Sequence, residues 1–303
     1  MQPAFRRVAL VGKRTSEIAS SLKTLREFLQ DRGCEVILER ETAQSVGDTG
    51  ASAEFAEIGR SADLAIVIGG DGTMLAAARN LARHRTPLAG INQGRLGFMT
   101  DIALADMRES VGAILDGRYS IEERSLMDAE ILRRNPATGK EALVLHTLSL
   151  NEAVVGKGSQ GRLIEFELSL DGEFVYALRA DGIIVATPTG STAYALSAQG
   201  PILHPAVPAL ALVPLNPHTL SARPVSVSDK CVIDIALART PGLDAQTYFD
   251  GFALAELAPG DHLVLKRSAH VARFVHPPGY QYFATLREKL GWSETRHKER
   301  GSS

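Results

Sequence analysis

The chain has 303 residues, 45% hydrophobic and 22% charged, which fits about two domains with buried cores and leaves no room for long disorder. Its 33 Lys and Arg against 35 Asp and Glu give a net charge of -2, which argues against a protein that holds nucleic acid or a membrane surface by basic excess. Cys34 and Cys231 stand far apart with no CxxC or Cys/His spacing, so a disulfide framework and a structural zinc site are excluded. No signal-length apolar stretch follows Met1, and no run of about 18 apolar residues occurs, so a cytoplasmic protein is expected.

In chain order, Val8–Val11 reads as a strand. Ser16 can cap a helix whose face is Ile18, Leu22, Leu25 and Leu29, with Gly33 as its stop. Val36–Leu38 is a second strand. Phe55, Ile58 and Ala62 suggest a short helix, and Leu64–Ile68 is a continuous apolar run of the kind buried on both faces of a parallel sheet. A helix from Thr73 to Ala82, a strand near Leu88–Ile91 and a helix from Leu104 to Leu115 follow, ending at Gly117. Strands alternating with helices predict a parallel, doubly wound sheet.

From about Leu126 the period becomes two. Ile164, Phe166, Leu168 and Leu170 alternate with polar residues, Asp171-Gly172 supplies a tight turn, and Phe174, Tyr176 and Leu178 continue the pattern. A second Asp250-Gly251 turn follows Thr247–Phe249. Of 14 prolines, six fall between Pro201 and Pro224, which rules long helices out of that stretch. Helical spacing returns at Phe283, Leu286 and Leu290, so a last helix is expected to pack on elements already built, before a charged tail from Glu294 that is expected to fray.

Three constellations carry candidate chemistry. Gly69-Gly70-Asp71-Gly72-Thr73 joins a buried strand to a helix, where glycines let a phosphate approach the backbone and the helix start offers free N–H groups. It is neither a P-loop nor a GxGxxG fingerprint. A carboxylate in such a cradle repels its ligand unless it meets a metal ion or accepts a proton, although a glycine-rich turn with an Asp cap has the same appearance. Thr187-Pro188-Thr189-Gly190-Ser191-Thr192-Ala193-Tyr194 offers four hydroxyls and a flat ring for a polar ligand, or an ordinary hydroxyl-capped helix start. Asn151-Glu152 can read a base edge and a vicinal diol, or be a solvated strand end. Arg179, Asp181-Gly182 and the loop Gly94-Arg95-Leu96-Gly97-Phe98 flank these motifs. The eight histidines, His204, His218 and His276 among them, show no metal-ligand spacing, and no Ser-His-Asp triad is evident.

These motifs, with Ser197–Ile202 and His218–Pro224, come in an order that resembles the NAD kinases over about residues 5–292. The Gly-Gly-Asp-Gly-Thr element alone is shared with diacylglycerol-type lipid kinases and part of phosphofructokinase; the Thr-Pro-Thr-Gly-Ser-Thr-Ala-Tyr element with Asn-Glu is more specific. The resemblance implies transfer of the terminal phosphoryl group of ATP to the 2′-hydroxyl of the adenosine ribose of NAD, giving NADP. It implies a divalent cation, normally magnesium, with ligands it does not identify. A cytoplasmic homo-oligomer, dimer or tetramer, without nucleic-acid or membrane partners goes with it.

The expected architecture is an α/β N-terminal domain with a parallel, Rossmann-like sheet over 1–124 and a mainly antiparallel β-sandwich over 125–277. A helix over 278–292 would return to the first domain, ahead of a flexible tail at 293–303. Carried over residue by residue, Asp71 would accept the hydroxyl proton. Gly72, Phe98, Asn151, Glu152, Arg162, Arg179, Asp181, Thr192, Ala193, Tyr194, Ala195, Leu196 and Ser197 would line the dinucleotide site, with Arg179 and Asp181 near the nicotinamide and favouring NAD+ over NADH. Phe252 departs from the family, where many relatives carry Gln after Asp-Gly. The competing readings are a lipid kinase using the same glycine loop and a non-catalytic NAD(P)-binding sensor; the lipid kinase requires an apolar acyl cleft, and the sensor is disfavoured by the presence of Asp71.

Overall fold

The computed structural model describes residues 3–13, 15–94, 97–134, 138–158, 161–239 and 245–292, without the side chains of Ser16, Ala253 and Leu254. Arg95, Leu96 and the expected tail lie outside the described residues. The chain forms two compact units, Met1–Glu122 with Arg273–Ser303, and Glu123–Ala272. Among the described residues no helix is long and apolar enough to cross a membrane.

The first unit alternates β1 (Arg7–Gly12), α1 (Ala19–Asp31), β2 (Glu35–Glu39), α2 (Arg40–Ser45), β3 (Ser52–Ala53), α3 (Phe55–Ser61), β4 (Leu64–Gly69), α4 (Asp71–Leu81), β5 (Leu88–Asn92), β6 (Ile102–Ala103) and α5 (Met107–Leu115). The strands pair in parallel in the order β5–β4–β1–β2–β3, with β6 also on β5. β4 is buried along its whole length, as its uninterrupted apolar run requires. The α1 face of Leu22, Leu25 and Leu29 packs with Val8, Leu10, Ile66 and Val111 in one core. Each such leucine contributes about 1.5–3 kcal/mol by leaving water.

Three local expectations are corrected. Ser16 opens a 3-10 turn, and the α-helix begins at Ala19 with Ile18 in the cap position. α4 begins at Asp71, two residues before Thr73, because the extended Gly70 starts the helix and a carboxylate suits its positive end. α2 has no counterpart in the sequence reading. Its cap is Glu39, whose carboxylate accepts the N–H groups of Glu41 and Thr42 at 2.9 and 2.7 Å, a task usually given to Ser, Thr, Asp or Asn.

The second unit holds most of β7 (Ser120–Arg134), then β8 (Glu141–Ser149), β9 (Glu152–Lys157), β10 (Ile164–Leu170), β11 (Glu173–Ala180), β12 (Gly182–Ala186), the short α6 (Tyr194–Ser197), β13 (Ala209–Leu215), β14 (Val225–Ser228), β15 (Ile233–Leu237), β16 (Ala245–Phe249), β17 (Phe252–Leu257) and most of β18 (His262–His276). One sheet contains β11–β10–β15–β18 with β7 and β8. The other runs β14–β13–β12–β9–β16–β17, antiparallel throughout. Both hairpin turns are as the sequence predicts: Asp171 and Gly172 have φ of 51° and 83°, Asp250 and Gly251 of 52° and 83°. Alternate residues of the two sheets meet in one core, Phe166, Ile235 and Leu263 from the first against Val155, Val185 and Leu212 from the second. β12 is apolar on both faces because Ile183 and Val185 enter that core while Ile184 and Ala186 pack with Ala195 of α6. The last helix, α7 (Tyr282–Leu290), belongs to the first unit and buries Leu286.

Candidate active site

In the first unit, the end of β4 runs through Gly69 and Gly70 into α4. Gly70 has φ -105° and ψ -175°, and none of Gly69, Gly70 and Gly72 adopts a positive φ. The glycines are therefore not required for left-handed backbone. A Cβ at Gly70 or Gly72 would meet nothing within 4 Å, so their effect is to leave the surface over the helix start bare. A cavity of about 460 Å³ opens there, with Lys13, Glu17, Asn92, Gly97 and Lys289 around the glycine loop and Asp71.

Asp71 is held by the next loop along the sheet. Its Oδ2 accepts the Phe98 N–H at 2.9 Å, and its Oδ1 accepts the Met99 N–H at 3.0 Å and the Thr100 hydroxyl at 3.3 Å. Asn92 donates to Thr100 Oγ1 at 2.8 Å and fixes that hydroxyl. A carboxylate has about four acceptor positions, so one on Oδ2 is left for a proton or a ligand hydroxyl. Gly97 is obligatory here, since a Cβ would lie 2.2 Å from Asp71 Oδ1. Immediately beyond, His276 is 1% exposed, with Nδ1 at 2.8 Å from Asp101 and Nε2 at 3.1 Å from Glu122, and its ring stacks on Tyr280 at 3.7 Å. Burial alone would lower the imidazole pKa. The hydrogen bonds and charges of Asp101 and Glu122 outweigh burial and raise it above the ordinary value.

In the second unit the decisive group is Asp250, which sequence reasoning used only as a turn residue. It is buried and accepts hydrogen bonds from Ser149 Oγ at 2.7 Å and from the N–H groups of Leu150, Asn151 and Glu152 at 3.0, 2.7 and 3.2 Å. These donors hold Asn151-Glu152 at the start of β9. Glu152 is only 5% exposed, which excludes the solvated strand end. Burial, then the charge of Asp250, push its carboxyl up to about 7. Among the described residues its Oε2 and the Asn151 Oδ1 are buried without a hydrogen-bond partner, the condition of groups shaped to receive a ligand.

A cavity of about 480 Å³ lies beside them, lined by Glu152, Lys157, Asp181, Tyr194, Asn216 and Tyr248, among others. Asp181 accepts from Asn216 and from Lys157, each at 2.8 Å, and these two bonds hold its carboxyl below the usual range. Tyr194 is half exposed at the rim. The hydroxyls of the 187–192 loop are arranged differently from the sequence expectation. Thr187 donates to the Leu150 carbonyl, Ser191 to Pro188 and Leu203, and Thr192 to Thr189, so three of the four hold the loop's own shape. Gly190 is essential to that shape, because a Cβ would lie 2.0 Å from the Asn151 carbonyl oxygen.

Of the remaining expected site residues, Ala195 is fully buried in the core, whereas Ser197 lines a neighbouring cavity of about 450 Å³. Thr192, Ala193 and Leu196 are half-buried in the same turn and helix. Arg179 is exposed and pairs with Glu165 directly across the β10–β11 ladder at 2.9 Å, and the described residues that line the cavity with Asp181 include neither it nor the exposed Arg162. Phe252 is 57% exposed at the start of β17, beside Gly251, which does line it. Lys13, Lys157, Asn216, Tyr248 and Lys289 join these cavities without any sequence signal beyond their residue type.

Residues 8–119 match the ATP-NAD kinase N-terminal domain and residues 150–277 the ATP-NAD kinase C-terminal domain. An NAD kinase of Aromatoleum aromaticum is 54% identical over 298 residues, 97% of each chain. An NAD kinase of Azoarcus sp. is 53% identical over 296 residues, 97% of this chain and 98% of that one. The crystal structure of yeast NADH kinase complexed with NADH shares the fold with a TM-score of 0.86 at 23% identity, covering 98% of this chain and 91% of that chain. The structure of an NAD kinase from Archaeoglobus fulgidus in complex with ATP gives 0.68 at 26% identity, covering 94% and 97%.

Proposed function

This chain belongs to the NAD kinase family and is an enzyme that phosphorylates NAD with ATP to give NADP, and from that premise we propose how its residues divide the work. Asn151 and Glu152 bind the nucleoside of NAD, the amide on a base edge and the carboxylate on the ribose diol. The observation that carries this assignment is the pair of buried acceptors, Asn151 Oδ1 and Glu152 Oε2, left without partners among the described residues. Asp181 attracts the cationic nicotinamide, Tyr194 offers its ring to the dinucleotide, and Gly72 and Phe98 complete the surroundings of Asp71. Thr192, Ala193, Ala195, Leu196 and Ser197 act through the backbone and shape of their turn, since three of the loop's four hydroxyls are spent internally. Arg162 and Arg179, both exposed, meet the dinucleotide from the solvent side.

The glycine loop seats the phosphates of ATP at the start of α4. The 2′-oxygen of the adenosine ribose attacks the γ-phosphorus, its proton passes to the open position on Asp71 Oδ2, and the bond to the β–γ bridging oxygen breaks to release ADP. Among the described residues no three His, Cys, Asp or Glu side chains form a metal-holding group. Asp71 and Glu17 are the carboxylates on this cavity that would meet the hydration shell of a magnesium ion, which would neutralise charge on the phosphates. A cytoplasmic homo-oligomer belongs to the same proposal and is open to light scattering. The experiment for the site assignment is NAD titration by calorimetry with the Asn151→Ala variant. Affinity should fall about tenfold, the effect of leaving one base-edge hydrogen bond unmade, and unchanged affinity in folded protein would remove Asn151 from the site.

A further inference from the structure

We infer that Lys289, on the returning C-terminal helix, binds the phosphate chain of the nucleoside triphosphate donor. The inference rests on the reading of the glycine loop as the donor's seat. Lys289 lines the same cavity of about 460 Å³ as Gly69, Gly70 and Asp71. Its Nζ lies 6.0 Å from the Phe98 ring centroid, and the Phe98 N–H is one of the three donors that fix Asp71. The ammonium thus lies over the ring of the residue whose backbone N–H anchors the carboxylate. Among the described residues neither Lys289 nor Lys13, the other cation on this cavity, forms an ion pair. Two ammonium groups outside any such pair, sharing the cavity with Glu17 and Asp71 beside bare glycine backbone at the positive end of an eleven-residue helix, suit a ligand of high negative charge that is flexible enough to lie along them.

A cation in the last turn of α7 would also be favourable for the helix dipole alone. What separates the two roles is the cavity, which a dipole partner does not need to line. A dipole role alters stability; a phosphate role alters the dependence of rate on ATP.

The test is steady-state kinetics of Lys289→Met and Lys289→Arg, with ATP and NAD varied separately. Lys289→Met should raise KM for ATP about tenfold, the lower range for a charge-assisted hydrogen bond, and leave KM for NAD within about twofold. Inorganic tripolyphosphate should compete with ATP in the wild type and lose the same factor in Lys289→Met, while Lys289→Arg should recover most of both effects. Added salt should raise KM for ATP more in the wild type than in Lys289→Met. An unchanged KM for ATP in folded Lys289→Met, or a fall in kcat alone, overturns the inference. Gly70→Val, which adds bulk at a residue lining the same cavity, distinguishes the two failures. If it raises KM for ATP and Lys289→Met does not, the seat stands and Lys289 is a dipole partner; if neither variant changes it, the seat itself is misassigned.

Discussion

Replacing Glu152 with Gln should make the protein more stable above neutral pH and bind NAD less well. The carboxyl is 5% exposed, lies near Asp250, and is pushed from an ordinary 4.5 to about 7, burial contributing more than Asp250. Below about pH 4.5 it is protonated in folded and unfolded chains alike and has no effect on stability. Between about 4.5 and 7 the unfolded chain ionises while the folded one resists, and the protein loses stability progressively. Above about pH 7 the loss is complete, on the order of 3 kcal/mol at 1.36 kcal/mol per pKa unit. Gln keeps the shape and never ionises, so urea denaturation should show near-equal stability at pH 5 and a variant more stable by about 1–3 kcal/mol at pH 8. Binding should run the other way. A diol donates to the carboxylate, so wild-type affinity for NAD should rise with pH up to about 7, with proton release in the calorimeter. The variant should bind about 10- to 100-fold more weakly at pH 8, with little pH dependence. A stability difference that does not vary with pH, together with unchanged NAD affinity, would refute both the strained burial of Glu152 and its role on the ribose.

Gly97→Ala should lower kcat by about tenfold or more while calorimetry shows NAD affinity retained, because the new methyl would lie 2.2 Å from Asp71 Oδ1 and must displace the base. Gly190→Ala should lose about 1–3 kcal/mol in urea denaturation and weaken NAD binding, since its Cβ would lie 2.0 Å from the Asn151 backbone oxygen. His276→Gln should lose about 3–5 kcal/mol near pH 6 by leaving two carboxylates without their cation. The folded imidazole pKa is raised, so this stabilisation is fully present below about 6.5 and is lost as pH rises through the higher folded value. The gap between His276→Gln and wild type should therefore narrow by pH 9, and a gap independent of pH would mean that charge plays no part there.

Features set by local pattern were legible in the sequence. The hairpin from β10 to β11 announces itself because alternation and an Asp-Gly turn act within a few residues of each other. The buried run of β4 and the glycines after it mark the end of a parallel strand for the same reason. Features set by distant partners were not. Asp250 reaches Ser149 and the Asn151-Glu152 backbone across about a hundred residues, so its turn is visible in the sequence and its four donors are not. Lys289 comes to the glycine loop from the far end of the chain and has no spacing that would disclose it. The hydroxyls of Thr187, Ser191 and Thr192 suggest ligand donors by type. Whether a hydroxyl faces a ligand or its own loop depends on carbonyls such as Leu150 and Leu203, which local sequence does not locate.

The most direct measurement is the turnover of Asp71→Asn with saturating NAD, ATP and magnesium, read as NADP formed, beside its NAD affinity. Asp71 accepts three hydrogen bonds and retains one open acceptor position on Oδ2, and the amide cannot take a proton there. A fall in kcat of about 10²-fold or more with NAD affinity nearly unchanged is the expected result. Turnover near that of the wild type, in protein that still binds NAD, would show that the 2′-hydroxyl loses its proton elsewhere.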